Sequence, residues 1–248
     1  MKRSFVPLLG LVSISAFAVA VFAQEKKPAT TESRPRYTEK KASRDGTGKV
    51  YMGREISGVV SVHAIKWLER PERTKEEAPQ DVVENMGLKA TDVVADIGAG
   101  SGYFSFLMAP KVPEGKVLAV DINAQMLEFI AAKGRKAGVT NVEGLLGTIE
   151  DTKLPEGEVD AVLMVDAYHE FSHPHEMMTS IVKGLRPGGR VILLEYRGED
   201  PSVPIKPLHK MTQKQAIAEM EAVGLKHKET KDFLPRQHFM VFVKPGGE

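Results

Sequence analysis

Between residues 93 and 194 the chain alternates short apolar runs with longer segments whose apolar positions recur at helical spacing. Val93 to Ile97, Val117 to Val120, Val142 to Leu146, Val159 to Val165 and Val191 to Leu194 have the length and composition of strands buried on both faces of a parallel sheet. Between them Tyr103 to Ala109, Ala124 to Ala137 and His175 to Leu185 read as helices, the last two closed by Gly138 and Gly188 at or shortly past their final turns. A helix over Asp81 to Met86, ended by Gly87, precedes this rhythm. A helix from about Thr212 to Val223, closed by Gly224, follows it, and then come two runs, Lys226 to Phe233 and His238 to Val243. Only Leu234 to Gln237 separates those runs, which permits a hairpin but not a right-handed parallel crossover. The pattern predicts a doubly wound α/β domain, mostly parallel, with a reversed last strand.

The amino-terminal third reads differently. Lys2 and Arg3 precede an apolar run from Phe5 to Phe22 that ends in Val21-Phe22-Ala23, the layout of an export signal cleaved after Ala23. The run also approaches membrane-spanning length, so an uncleaved anchor is the alternative; either way the domain is expected outside the cytoplasm, in the periplasm. No other membrane insertion is expected. From Gln24 to about Lys49 the chain is rich in Lys, Glu, Thr, Ser, Arg and Pro and nearly free of large aliphatics, which reads as a tether. Structure is expected from Tyr51, with Ile56, Val59, Val60, Ile65 and Leu68 spaced for one helix face. The expected division is a signal peptide over 1–23, a linker over 24–50, a helical lid over 51–88 and the α/β domain over 89–246.

Composition narrows the partners. The 248 residues carry a formal net charge of +1, too little basic excess for a phosphate backbone, so nucleic acid is not expected. The absence of cysteine excludes disulfides, thiolate metal sites and cysteine nucleophiles.

Chemistry concentrates at two places. Strand Val93 to Ile97 runs into Asp96-Ile97-Gly98-Ala99-Gly100-Ser101-Gly102, with a helix starting at Tyr103 or Phe104. Small residues there let the backbone pass close to a ligand, and a helix amino end offers free N–H groups. About twenty residues past Gly100, at the end of the next strand, Asp121 stands where a carboxylate accepts hydrogen bonds from ribose hydroxyls. A dinucleotide fingerprint would need GxGxxG, but the third glycine comes one residue early, at Gly102, and Tyr103 takes its place. Asp96 adds a carboxylate that repels a pyrophosphate and attracts an ammonium or sulfonium. These features favour S-adenosylmethionine.

Asp96 to Gly102, Asp121 and Leu185-Arg186-Pro187-Gly188-Gly189-Arg190 together resemble the class I S-adenosylmethionine-dependent methyltransferases, over roughly Gly87 to Lys244. The resemblance implies a Rossmann-like seven-stranded sheet with its last strand reversed. It implies that Asp96 and the turn hold the amino-acid end of the cofactor, that Asp121 holds the ribose, that Thr148, Ile149 and Glu150 flank the adenine, and that Asp166 sits beside the transferred methyl, with Tyr103 and Ile122 also contacting the cofactor. The segment from Tyr51 to Arg73 also resembles the leader of a group of exported bacterial methyltransferase-domain proteins. The D/N-P-P-Y signature of amino-group methylation is absent, Asp166-Ala167-Tyr168-His169 standing in its place.

The second place is Val165 to His175, where a strand delivers Asp166, Tyr168, His169 and Glu170 to the carboxyl edge of the sheet. His169 is the candidate base for an acceptor's proton and Tyr168 a wall or hydrogen-bond donor; shaping the pocket alone is the competing role. His169-Glu170-Phe171-Ser172-His173 matches HExxH, but that motif needs both histidines on one helix face, and Pro174 starts a helix rather than continuing one. The site is therefore read as metal-free; a looser cluster of His169, His173, His175, Glu170 and Asp166 is a lesser alternative. In the leader Arg54, His63, Trp67, Arg70 and Arg73 are the chemically capable residues, and an arginine could fork onto the cofactor carboxylate; surface ion pairs with Glu55, Glu69 and Glu72 are the plainer reading. The expected function is methyl transfer to a small molecule or an exported macromolecule. The alternatives are a non-catalytic exported module that binds a nucleoside or S-adenosyl ligand and, behind it, a metal-dependent enzyme built on His169, His173 and His175.

Overall fold

A computed structural model describes Met1 and residues 37–59 and 65–246. The expected signal segment, the first part of the tether and His63 lie outside the described residues. Residues 35–248 form one compact unit.

Residues expected as tether and lid helix form a three-stranded antiparallel sheet: β1 (Tyr37–Glu39), β2 (Gly46–Tyr51) and β3 (Arg54–Ser57). Met52 and Gly53 link β2 to β3 with φ of 48° and 89°, both positive as a two-residue hairpin turn requires. The composition argument fails because polar contacts order these strands. Glu55 is buried and gathers the backbone N–H groups of Ser43 and Gly48 and the ammonium of Lys40. Tyr51 and Ile56 supply the apolar burial, and the sheet grips the main domain through Tyr37 Oη donating to Glu176 and Lys49 Nζ donating to the Ser172 carbonyl. Among the described residues of the leader, helix occurs in the short pieces α1 (Ile65–Leu68), α2 (Arg73–Glu77) and α3 (Pro79–Asn85).

The main sheet has seven strands: β4 (Val93–Ile97), β5 (Lys116–Asp121), β6 (Val142–Leu146), β7 (Val159–Val165), β8 (Leu185–Tyr196), β9 (Lys226–Lys231) and β10 (Gln237–Val243). Their spatial order is β6-β5-β4-β7-β8-β10-β9, parallel except that β10 runs against both neighbours. The last strand is reversed, as the short connection requires. The helices α4 (Tyr103–Met108), α5 (Ala124–Ala137), α6 (Pro174–Gly184) and α7 (Gln213–Glu221) complete the layers. Side chains alternate along β4, with Val94 entering the apolar layer against α3 and α4 and Ala95 the layer that holds α6 and α7 residues. Two covered faces explain the unbroken apolar run.

Two local expectations are corrected. β6 is an edge strand with partly or fully exposed residues, because it has β5 on one side only. Helix α6 ends at Gly184, within one residue of the expected end, but Gly188 does not close it: Arg186 precedes Pro187 and is pushed to extended backbone, so the chain enters β8 at Leu185. Gly188, at φ 75°, turns within β8 and donates its N–H to the Lys244 carbonyl.

Candidate active site

β4 delivers the glycine turn to the carboxyl edge of the sheet. Gly98 and Gly100 have φ of 72° and 54°. A Cβ at Gly98 would sit 2.9 Å from the Ala167 Cβ, so backbone angle and space both select glycine there; at Gly100 the nearest atom is the movable tip of Leu68, and the backbone angle alone selects glycine. Gly100 N–H donates to Asp121 Oδ2 at 2.9 Å, and Asn123 N–H donates to Asp121 Oδ1 at 2.8 Å. Asn123, not Asp121, caps α5. Each Asp121 oxygen keeps a second lone pair, and Asp121 lines a cavity of about 570 Å³.

Asp96 is buried and lines a smaller cleft beside the turn with Ala99, Ser101, Tyr103 and Arg73. Burial pushes its carboxyl up to about 6, against the Ser105 hydroxyl that donates to it at 2.6 Å and the nearby Arg73 charge. Ser101 Oγ is buried with no hydrogen-bond partner among the described residues, the kind of orphan that a polar ligand satisfies. Gly102, in the left-handed region, precedes the first turn of α4.

The large cavity runs from this turn to the end of β7. Ile122 and Ile149 flank it, each 48% exposed despite their size, and Thr148 lies beside them. Glu150, expected at the adenine, does not line it; the carboxylate lies 3.6 Å from His173 Nε2 at the surface. Opposite, Trp67 carries the Arg70 guanidinium 3.7 Å above its ring. The forks of Arg70 and Arg73 are taken by Glu76 and Glu77 rather than left open. Arg54 does not line the cavity: it forms a bidentate pair with Glu219, both contacts at 2.9 Å.

The far end is built from distant segments. Asp166 has φ of 50°, a strained angle for a residue other than glycine. Gln237 Nε2 donates to its Oδ2 at 2.7 Å, while Oδ1 is buried without a partner among the described residues. Burial, then the charges of Glu77 and Glu195, raises its pKa well above the ordinary value. Tyr168, expected as a wall or donor, does not line the cavity: its ring lies in the core and its hydroxyl donates to Glu219 at 2.7 Å. It follows from the 3₁₀ turn Tyr168–Glu170, which sends successive side chains in different directions.

His169 does line the cavity. Its Nδ1 meets Glu195 Oε2 at 2.6 Å, its backbone N–H donates to the other Glu195 oxygen at 3.2 Å, and its Nε2 lies 3.1 Å from His209 Nδ1. With Nδ1–H given to Glu195, Nε2 carries a lone pair. Burial disfavours the charged ring, but Glu195 outweighs it, so the His169 pKa is raised; burial and the His169 charge lower that of His209. Arg54 Nη1 and Ser57 Oγ both donate to the His169 carbonyl at 3.2 Å. Sequence reasoning missed Glu195, His209 and Gln237. Glu195 had one available signal, a lone acid ending an apolar strand; His209 had none.

His173 and His175 do not join this group. His173 sits with Glu150 and the Tyr37 ring, and the His175 N–H donates to Tyr37 Oη. His169 lies in the 3₁₀ turn while α6 begins at Pro174, so no single helix carries both histidines of the HExxH match.

Residues 94–189 match the family described as a methyltransferase domain. An uncharacterized methyltransferase, YcgJ, of Bacillus subtilis is 30% identical over 121 residues, 48% of this chain and 47% of that protein. The ubiquinone/menaquinone biosynthesis C-methyltransferase UbiE of Pseudomonas paraeruginosa is 32% identical over 119 residues, 46% of this chain and 45% of that one. The chain thus spans about half the length of the curated relatives it matches. A solved SAM-dependent methyltransferase from Aquifex aeolicus superposes with a TM-score of 0.71 at 23% identity, covering 75% of this chain and 100% of that chain, a likeness of fold. Over residues 94–189 the chain is therefore similar to methyltransferase domains, and it shares the fold of solved S-adenosylmethionine-dependent methyltransferases.

Proposed function

We propose that the protein transfers the methyl group of S-adenosylmethionine to a small-molecule acceptor held at the His169 end of the cavity. One observation carries this reading: a single cavity joins the Gly98–Gly100 turn and Asp121 to Asp166 and His169. S-adenosylmethionine supplies an electrophilic methyl on a sulfonium. Asp121 takes the ribose hydroxyls on its remaining lone pairs, Ile122 and Ile149 sandwich the base, and Asp96, Ser101 and Tyr103 receive the amino-acid end. The orphaned oxygens of Ser101 and Asp166 fit this ligand, since one needs a hydrogen bond and the other gains from a nearby positive charge. His169 Nε2 stands where, in a metal-free site, an acceptor's proton would be taken. The acceptor is outside the cytoplasm if the segment before Ala23 is an export signal.

Calorimetry with S-adenosylmethionine and S-adenosylhomocysteine tests the reading, followed by transfer of labelled methyl to periplasmic small molecules. Binding of both with labelled product is the expected result. Absence of binding overturns it, and binding without transfer to any fraction turns the protein into an exported nucleoside-binding module. Fusion of residues 1–50 to a reporter active only outside the cytoplasm tests export.

A further inference from the structure

Three potential ligand atoms converge on the cavity: His169 Nε2, His209 Nδ1 and a Glu170 carboxylate oxygen. Their separations are 3.1 Å between the two nitrogens, 3.9 Å from His169 to Glu170 and 3.7 Å from His209 to Glu170. For ligands at about 2.0–2.1 Å from a tetrahedral ion, the edges of the tetrahedron are roughly 3.3–3.4 Å. The observed triangle brackets that value, so small rotamer adjustments would seat an ion. We propose that His169, Glu170 and His209 form a metal site for a divalent transition ion of the zinc type, with its remaining coordination position open to the cavity.

Two further observations support a built site rather than a chance meeting of side chains. The His169 ring is buried and its second nitrogen faces the Glu195 carboxylate at 2.6 Å, the outer carboxylate that fixes a ligating imidazole and strengthens it as a donor. The main chain of the same residue is held as well, by Arg54 and Ser57 on its carbonyl and Glu195 on its N–H. Two imidazoles and a carboxylate, without thiolate, suit zinc and its first-row neighbours and disfavour magnesium and calcium, which prefer all-oxygen shells. His169 then serves as a ligand, and the expected base is replaced by the ion. The open position faces the acceptor end, so the ion would hold an anionic oxygen of the acceptor, such as a phenolate or hydroxamate. That role rests on the methyl-transfer reading; the ion site itself does not.

The test uses the full chain stripped with a chelator and titrated with Zn²⁺ against a chromophoric competitor, and with Co²⁺ by its visible absorption. One ion per chain is expected, with the Co²⁺ spectrum reporting nitrogen and oxygen ligation. His209→Ala is the primary variant, because its partly exposed ring leaves no hole in the core; it should weaken binding at least ~100-fold. Glu195→Gln should weaken it by roughly 10–100-fold while keeping one ion per chain. His173→Ala should leave binding unchanged. Absence of binding at micromolar Zn²⁺ overturns the inference, as does binding that His209→Ala leaves intact. S-adenosylhomocysteine binding is measured on the same samples: retained with no ion bound, it defeats the metal site alone; lost with the ion still bound, it defeats methyl transfer alone.

Discussion

The two ends of the cavity are assembled by different means. At the cofactor end, seven consecutive residues, Asp96 to Gly102, meet an acid 21 positions beyond Gly100 through adjacent parallel strands. At the acceptor end, His169 meets Glu195 across 26 positions, His209 across 40 and Arg54 across 115, while Asp166 meets Gln237 across 71. The first end follows from one strand–turn–helix unit and its neighbour. The second exists only when five separate segments are in place. Local geometry leaves a spacing in the sequence; assembly from distant segments leaves none.

That contrast can be broken most forcefully at Arg54. Its side chain and that of Glu219 are both nearly fully buried, so Arg54→Ala strands a charge and should cost about 3–5 kcal/mol of stability by urea unfolding. If the ends are separate, affinity for S-adenosylhomocysteine, measured where the variant remains folded, stays within about twofold of wild type. An equal loss of affinity would merge the two regions into one.

The next effect is Asp96. Its folded-state pKa of about 6 stands above the ordinary 3.8, so the native state binds the extra proton between those values. Stability therefore falls as pH rises from about 4 to 6, by up to about 3 kcal/mol, while cofactor affinity rises as the carboxylate forms. Asp96→Asn should remove this part of both slopes, read as the difference from wild type in unfolding and calorimetry at pH 4.5 and 7. Unchanged slopes would remove Asp96 from the cofactor end.

Smaller losses follow at the ribose and adenine positions. Asp121→Ala gives up hydrogen bonds from Gly100 and Asn123 as well as those to the ribose, and should weaken S-adenosylhomocysteine binding by about 1.5–3 kcal/mol in calorimetry. Glu150→Ala, outside the cavity lining, should change affinity and stability by less than about 0.5 kcal/mol in the same assays.

These measurements would also grade how far a sequence can be read. The strands, the reversed end and the turn with Asp121 were legible because period, connection length and spacing are set by neighbouring backbone. Tyr168 turns into the core because a 3₁₀ turn does not follow strand alternation. The β1–β3 sheet falls where composition predicts a tether and, from Tyr51, a lid helix; Glu55 orders it locally, and its anchors on the main domain, Glu176, Ser172 and Glu219, lie more than a hundred positions away and act through polar contacts. His209 lies in a 3₁₀ turn, Pro207–His209, with no apolar periodicity to place it.

The hold of β3 on His169 has a kinetic consequence. Bringing Arg54 and Ser57 to that carbonyl closes a loop of more than a hundred residues, whereas the Gly100–Asp121 contact closes a short one. Early contacts are the ones that cost little chain entropy. During synthesis the glycine turn can form as soon as β5 is made, but the amino-terminal strands must wait for β7 and the residues after it. The acceptor end therefore carries the larger loop-closure cost, and the first strands to be synthesised have no docking partner until the chain has passed His169.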